Sequence, residues 1–532
     1  MAATAQFAPR SISAPHVNPW LIAVTVMAAT FMEVLDTSVA NVSLPHIAGN
    51  LSAGVDESTW VLTSYLVSNA VVLPLTGWFS ALFGRKRFFI GCVIIFTLSS
   101  LLCGLAPSLP MLVLFRVIQG AGGGGMQPVS QAILVDSFPR EKQGMAMAIY
   151  GMGVVVAPTI GPTLGGWITD NYSWRWIFLL NVPIGVISLA LISMLIHEKT
   201  KAPSGAERKN FRIDFVGLGL LAVGLAFLQI VLDKGERDDW FGSPFIVWST
   251  VTFVVALLGM IVWEWRAKNP VIDLHLFGDR NFAISTFMMY TLGFVLYSTT
   301  LLLPILMQTL MGYTAMESGL VLLPGGLLLL AMLPFVGILL GKFSPRWIVL
   351  MGLIIMATGL FSLSHLSLDA TGRLMVFDWA ISRAGTAFLF VPINVMAFYF
   401  VPRDKMNNAS GLINLARNMG ASTGISFVTT MLDRRAQFHQ DVLAGNLRIT
   451  NPMLRHALYR ITHMMMSKGP DAVHAQMQAQ GMIYGQLQRQ AMVFSFVDNF
   501  RMMAIICVCV IPLIFVMRGR NKSGGGGAPP VH

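Results

Sequence analysis

The chain has 532 residues, of which 55% are hydrophobic and only 11% are charged, and its mean hydropathy is +0.67. Soluble globular proteins carry roughly a quarter charged residues, so this composition excludes a water-soluble monomer. A helix that crosses a bilayer needs about 20 apolar residues, and the chain is long enough for many such helices. The sequence therefore predicts an all-α polytopic membrane protein.

Apolar runs long enough to span a bilayer recur fourteen times along the chain. They cover 20–44, 58–83, 88–105, 111–135, 144–169, 176–196, 215–232, 245–263, 282–310, 318–340, 347–365, 374–401, 409–432 and 493–516. Because the number of runs is even, both termini are expected on the same side of the membrane.

The positive charges indicate which side this is. If the N-terminus is cytoplasmic, the short outer loops hold Arg175, Lys234, Arg237 and Arg373, whereas most of the 36 Lys and Arg residues fall in cytoplasmic loops and termini. This asymmetry sets the orientation of membrane proteins. It also accounts for the net charge of +11 without a nucleic-acid partner.

Polar segments divide the chain into two bundles with an insertion between them. We predict a cytoplasmic N-terminal segment (1–19), a six-helix bundle (20–196), a cytoplasmic linker (197–213), two additional transmembrane helices (214–266), a second six-helix bundle (267–517) and a disordered cytoplasmic tail (518–532). A long periplasmic loop is expected at 432–490, with a helical stretch at 471–490. A weak repeat of the turn at 77–87 recurs at 337–342 and supports the 6 + 2 + 6 arrangement.

Ionisable residues inside predicted spans are costly and therefore indicate function. Glu33 and Asp36 lie three residues apart on one face of the first span, and the fourth span carries Arg116. Carboxyl groups in such surroundings can take up and release protons, as proton-coupled transport requires. The sequence alone leaves open whether the three residues meet.

Other polar residues in the spans allow either a functional or a structural interpretation. They are Gln119 in the fourth span, Arg383 in the twelfth, and Asn414 and Arg417 in the thirteenth. For Asp498 and Arg501 in the last span we favour the structural interpretation, in which the two side chains pair with each other.

The fifth span carries small residues at every fourth position, namely Gly153, Ala157, Gly161 and Gly165. Such a stripe allows close helix packing, and Pro158 and Pro162 are expected to bend the helix. A glycine-rich run at 120–125 lacks the Gly-Lys-Ser/Thr ending of a phosphate loop. We therefore expect no nucleotide site, no metal or other cofactor, and no enzymatic activity.

Several of these segments together resemble the fourteen-span drug:proton antiporters of the EmrB/QacA type, within the major facilitator superfamily, and most closely the EmrB-type members. The segments are 35–45 (with Asp36 and Asn41), 77–87 (with Gly77, Gly84 and Arg85), 116–120, 153–166 (ending in Gly165 and Gly166) and 414–420. The loop at 77–87 departs from the family pattern, because Ala81 stands where an aspartate is usual.

The resemblance implies a major facilitator fold and proton-driven efflux of lipophilic drug-like compounds across the bacterial inner membrane, with the proton gradient as energy source. It implies that Asp36, assisted by Glu33, exchanges protons under the influence of Arg116. Asn41, Gln119, Asn414, Arg417 and Arg383 would belong to the substrate cavity and its helix motifs. The conformational motifs would use Gly77, Gly84, Arg85, Gly153, Pro158, Gly161, Pro162, Gly165 and Gly166.

The family also implies two partners, a periplasmic EmrA-like membrane-fusion adaptor and a TolC-like outer-membrane channel. The segment 432–490 could dock the adaptor or could be a solvated cap. Two other functions remain open at this level: an exporter or importer of a specific metabolite or siderophore on the same fold, and a membrane channel or sensor.

Overall fold

The structure is a computed structural model that describes residues 18–53, 55–196, 214–236, 238–267, 273–368, 370–402, 405–445, 447, 451–467 and 471–517. These residues form helices and connecting turns, without a β-strand among them. Most of the predicted N-terminal segment, the linker at 197–213 and the tail from residue 518 lie outside the described ranges.

The helices follow the fourteen predicted apolar runs. They are α1 (Pro19–Val42), α2 (Leu44–Asn50), α3 (Val55–Ser58), α4 (Trp60–Val72), α5 (Thr76–Phe83), α6 (Arg85–Gly104), α7 (Leu109–Ser137), α8 (Gln143–Asn171), α9 (Arg175–Leu179), α10 (Asn181–Leu195), α11 (Phe215–Lys234), α12 (Pro244–Arg266), α13 (Arg280–Leu310), α14 (Ala315–Lys342), α15 (Pro345–Leu363), α16 (Gly372–Phe398), α17 (Met406–Ala444), α18 (Pro452–Met466) and α19 (Ala472–Val516). We call the end where α1 ends and α7 begins the outer end, in keeping with the predicted orientation, and the opposite end the inner end.

Many of these helices can cross a membrane. Within the described ranges, ten are long and apolar enough, and the bent helix α8 would be an eleventh. The chain is therefore a multi-pass membrane protein. The helices α7 and α17 carry glycines and buried amides in their centres, which lower their hydropathy. The count of fourteen spans stays a prediction.

The same helix pairs pack together in two halves of the molecule. Counted as membrane helices one to six, the first half consists of α1, α4 with α5, α6, α7, α8 and α9 with α10, and the second half of α13, α14, α15, α16, α17 and α19. In both halves the first helix packs on the fifth, the second and third pack on the fourth, and the third packs on the sixth. This correspondence appears when α11 and α12 are set aside, and these two helices pack on each other. The arrangement is an internal repeat with a two-helix insertion, as occurs in transporters.

The halves meet along two seams, each formed by a second and a fifth helix. Along one seam α8 packs on α14, and Gly144 lies against Gly337. Along the other seam α17 packs on α5 and on the helical turn that precedes it (Leu73–Leu75). Here Gly77 is required, because a side-chain Cβ at this position would overlap the Asn408 amide. The insertion helix α11 lies beside this second seam and contacts α4 and α17.

The segment predicted as a long loop is largely helical. The helix α17 continues to Ala444 and α19 begins at Ala472, so both extend well past the predicted limits of their spans, and α18 packs on α19 between them. The helical stretch expected at 471–490 is the outer part of α19. We call α18 with the outer parts of α17 and α19 the outer projection.

The expected pairing of Asp498 with Arg501 is wrong. Asp498 instead binds two residues of α17, Arg435 at 2.5 Å and His439 at 2.8 Å. Arg501, three positions further along α19, is exposed. The extension of α17 supplies these partners, and its length could not be anticipated from hydropathy.

Candidate functional site

Asp36 and Arg116 form an ion pair inside the first half. Arg116 Nη1 on α7 lies 2.5 Å from Asp36 Oδ2 on α1, and the two side chains are 0% and 1% exposed. Removing two charges from water is expensive unless both are paired and hydrogen-bonded. The sequence-predicted residues are thus brought together by the packing of α1 against α7.

Further donors complete the surroundings of the Asp36 carboxylate. Its Oδ1 accepts from Gln119 Nε2 at 3.1 Å and from Asn181 Nδ2 at 2.6 Å. Arg116 in turn donates its Nε proton to the Val61 carbonyl at 3.0 Å. The Tyr65 ring lies 4.2 Å from the guanidinium carbon. These contacts bind the ionised carboxylate, since hydrogen bonds to charged groups are the stronger ones.

Glu33, one turn before Asp36 on α1, is held differently. Its Oε1 accepts from the Tyr65 hydroxyl at 3.1 Å and from Asn69 Nδ2 at 3.2 Å, while Oε2 accepts from Gln127 Nε2 at 2.5 Å. All three donors are neutral. Tyr65 contacts both Glu33 and Arg116, so the two carboxyl groups belong to one cluster, which we call the acidic cluster.

Two glutamines of α7 connect the first half to the second. Gln127, which donates to Glu33, accepts through Oε1 from Arg417 Nη2 on α17. One turn further, Gln131 donates to Asn394 Oδ1 on α16 at 3.0 Å and accepts from Asn414 Nδ2 at 2.8 Å. The acidic cluster is therefore joined to Arg417 of the other half through a single amide side chain.

Arg383 lies apart from the acidic cluster, within the second half. It is 2% exposed, its Nη2 donates to Thr299 Oγ1 on α13 at 2.8 Å, and its guanidinium carbon lies 3.7 Å from the centre of the Trp379 ring. No carboxylate of the described residues lies within ion-pair distance of it.

The small-residue stripe of α8 packs against α1, the helix that carries both carboxyl groups. Gly165 contacts Val39, and Gly161 contacts Ser38. The second contact is so close that a side chain at position 161 would overlap Ser38. Pro162 has no N–H to donate to the Pro158 carbonyl, and Ser38 Oγ donates to that carbonyl instead, at 3.3 Å. The helix bends by 45° at this point.

The loop motif lies at the inner end of the first half. Gly84 separates α5 from α6 with a φ of 85°, a conformation that favours glycine. Arg85 then begins α6 and forms an ion pair with Asp136 at the end of α7. Ala81, which replaces the usual aspartate, is exposed.

Besides Arg383 and the loop motif, three further predicted residues lie outside the acidic cluster. Asn41 is exposed in the last turn of α1, Gly153 packs against Met27 in the inner part of that helix, and Gly166 is half-buried on α8. Asn414 and Arg417, by contrast, meet the first half through the two glutamines.

Sequence reasoning missed five residues of this site, because neutral polar residues inside an apolar run carry little signal. They are Tyr65, Asn69, Gln127, Gln131 and Asn181. A periodicity test on α7 would have found two of them, since Gln127 and Gln131 follow Arg116 at eleven and fifteen positions and so share its face.

A cavity of about 170 Å³ lies at the inner end, where both halves contribute. Apolar residues of α16 line much of it, including Val395, Met396 and Phe398, and polar side chains such as Asn281 and Gln143 face it from other helices. Ligand pockets are commonly apolar with a few polar groups that orient the ligand.

Comparison with known proteins identifies the family to which the chain belongs. The Major Facilitator Superfamily profile matches residues 26–425. The chain is 36% identical over 510 residues to multidrug export protein EmrB of Escherichia coli (strain K12), which covers 95% of this chain and 97% of that protein. It is 38% identical over 474 residues to multidrug export protein EmrB of Haemophilus influenzae, with 87% and 91% covered.

A solved structure with a similar fold is that of the proton:xylose symporter XylE, with a TM-score of 0.61, 14% sequence identity, and 94% of this chain and 95% of that chain covered. The all-helical major facilitator fold predicted from the motifs is therefore confirmed. The chain belongs to the major facilitator superfamily of membrane transporters.

Proposed function

We propose that this chain is a proton-driven multidrug exporter of the bacterial inner membrane. The relatives named as multidrug export proteins support the export of lipophilic compounds. The observation that carries the proton-coupled mechanism is a continuous series of side-chain contacts, because it joins buried carboxyl groups to the contact between the halves. The series runs from Asp36 through Arg116, Tyr65, Glu33 and Gln127 to Arg417.

The two carboxyl groups have different roles in this mechanism. Asp36 accepts from the Arg116 guanidinium and from the amides of Gln119 and Asn181, and in this fully paired state it orients the cluster. Glu33 contacts only neutral donors and is the group at which a proton is most readily added. Asp36 acts on that step indirectly, because it orients Arg116, which lies against the Tyr65 ring.

Protonation of Glu33 changes the contact between the halves. A proton on Oε2 would face the Gln127 amide N–H, and two donors cannot share a hydrogen bond. If Gln127 rotated to accept from Glu33, its amide N–H would face Arg417, again placing donor against donor. We therefore propose that the proton is added to Oε2 rather than to Oε1, where the Tyr65 hydroxyl could accept it, and that this step breaks the link at Gln127 and frees the halves to move.

The cavity at the inner end is the proposed entrance for the substrate. Val395, Met396 and Phe398 in its lining can contact apolar compounds without selecting one shape, while Glu141 and Arg346 of the same lining can contact charged groups. The compound would then pass between the halves toward the outer end as they rearrange.

Substrate-induced proton release tests this function. Purified protein in weakly buffered detergent should release protons when tetraphenylphosphonium, a lipophilic cation, is added, because substrate binding and protonation of Glu33 exclude each other. Glu33→Gln should abolish the release. Asp170→Asn is the matched control, since Asp170 is an exposed carboxylate on α8 that lies 3.9 Å from His46.

Equal release from the wild type and Glu33→Gln would remove Glu33 from the mechanism. The absence of release for cationic, acidic and neutral lipophilic compounds alike would contradict proton-coupled export itself.

We also propose that the outer projection contacts an EmrA-like adaptor, which in turn reaches a TolC-like outer-membrane channel. The helix α18 has no buried residue, and Met453, Tyr459 and Met464 are 81%, 65% and 47% exposed. Exposed apolar side chains on a segment outside the membrane are typical of a protein contact.

Surface substitutions test this contact better than a deletion, because Ala475, Ala479 and Leu487 of α19 are buried and removing them would disturb the fold. The variant Met453→Ser/Tyr459→Ser should reduce adaptor recovery in a pull-down with wild-type protein levels. Tyr172→Ser, at an equally exposed tyrosine directly after α8 (66%), is the control. Wild-type recovery with the double variant would favour a cap without a partner.

A further inference from the structure

Arg383 is a buried cation whose charge is not balanced by any described residue. Its Nη2 contacts the neutral Thr299 hydroxyl, its plane lies against Trp379, and its Nε has no hydrogen-bond partner. The nearby Asp378 of the same helix accepts a hydrogen bond from Ser362 of α15 at 2.8 Å and does not reach Arg383. A charge inside a membrane bundle normally pairs with another charge.

The internal repeat indicates which kind of partner Arg383 lacks, namely a carboxylate. Arg116 lies on the fourth membrane helix of the first half and pairs with Asp36 on the first helix. Arg383 lies on the fourth membrane helix of the second half and reaches the first helix of that half, α13, in the same way. There it meets Thr299 in place of an acid.

The helix face that carries Arg383 is the face that meets the first half. Arg383, Phe390 and Asn394 are spaced by seven and four residues, so they share one face of α16. Phe390 stacks on Tyr150 of α8 with ring centres 6.1 Å apart, and Asn394 accepts from Gln131 of α7. Arg383 lies two turns further toward the outer end on this face.

We propose that Arg383 is the subsite for the anionic group of acidic lipophilic substrates. A substrate carboxylate would accept hydrogen bonds from the guanidinium and take the place that Asp36 occupies beside Arg116, since arginine binds carboxylates through paired donors. Trp379 would contact the apolar body of the compound. This inference rests on the proposed export function and names one substrate class for it.

A matched pair of probes tests the subsite. Binding of 1-pyrenebutyrate and of its uncharged methyl ester is measured at neutral pH on purified protein, and the ratio of the two affinities isolates the contribution of the carboxylate. The wild type should prefer the acid. Arg383→Gln should lower this preference about tenfold or more, as expected for the loss of a charged hydrogen bond.

A second variant keeps the test independent of folding. Thr299→Asp supplies the acid that the repeat lacks, satisfies Arg383 internally, and should lower the preference for the acid in the same way. Arg175→Gln is the control, because Arg175 is a half-buried arginine that stacks on Trp174 near the outer end. It should keep the wild-type ratio.

Equal ratios for the wild type, Arg383→Gln and Thr299→Asp would overturn the subsite. Competition of an anionic lipid, phosphatidylglycerol, with pyrenebutyrate would assign Arg383 to lipid binding and also overturn it. Proton release with tetraphenylphosphonium is measured on the same samples. If the wild type fails that assay, the export function fails, whereas success there with equal ratios rejects the subsite alone.

Discussion

At the scale of single residues, the mechanism depends on how two carboxyl groups one turn apart are held. Asp36 contacts a guanidinium and two amides, whereas Glu33 contacts a hydroxyl and two amides. The same helix thus presents one carboxyl group that is paired with a cation and one that is held by neutral donors, and we propose that the second is the group that takes up the proton. Arg116 is the residue that separates these two roles, because it reaches Asp36 directly and Glu33 only through Tyr65.

Removing one partner of the buried ion pair should destabilise the protein more than removing both partners. Asp36→Asn should lower the free energy of unfolding by about 3–5 kcal/mol, because it leaves Arg116 buried without a counter-charge. The double variant Asp36→Asn/Arg116→Gln should recover part of the lost free energy of unfolding, but it should not recover transport. Thermal unfolding in detergent measures both variants. Strictly additive losses in the double variant would show that the two side chains are not coupled.

The sequence predicts the charged members of this site and misses most of the neutral ones. Glu33, Asp36 and Arg116 are conspicuous because ionisable groups are rare in lipid. Tyr65 and Gln127 are not conspicuous, since the cost of a buried amide or hydroxyl is small once it is hydrogen-bonded. Their role depends on which helices are neighbours, and a single sequence does not contain that information.

At the scale of elements, the bend in α8 is stabilised by a hydrogen bond from α1. Pro162 leaves the Pro158 carbonyl without an intrahelical donor, and Ser38 of α1 supplies the missing hydrogen bond. The glycines at 161 and 165 let the two helices approach closely enough for this contact. The stripe and its prolines were predictable from spacing, but the partner helix was not.

A side chain at the bend should separate the two helices. Gly161→Ala should destabilise the protein by about 1–3 kcal/mol, the usual cost of overpacking, and should slow efflux, because Ser38 cannot move without losing the Pro158 contact. Thermal unfolding and the efflux rate measure these effects. Gly481→Ala, at an open position of α19, should be neutral or slightly stabilising. Equal behaviour of the two variants would contradict the close packing.

At the scale of the whole molecule, α11 lies where both halves can be reached. Its Gln229 accepts a hydrogen bond from Ser422 of α17 at 3.0 Å, and its Lys234 lies 4.5 Å from the ring centre of Trp60 on α4. Hydropathy predicted the helices and the insertion. It did not predict the seams or the helical outer projection, because these depend on contacts between distant segments and on helix that continues in polar sequence.

The central claim is that proton uptake reaches the second half through Gln127. The two glutamines of α7 provide a matched test, since both bind α17 but only Gln127 contacts Glu33. Accumulation of tetraphenylphosphonium driven by a pH gradient is measured in proteoliposomes for both leucine variants. Gln127→Leu should lose accumulation while still binding the cation, and Gln131→Leu should retain most of it. Wild-type accumulation by Gln127→Leu would contradict the account.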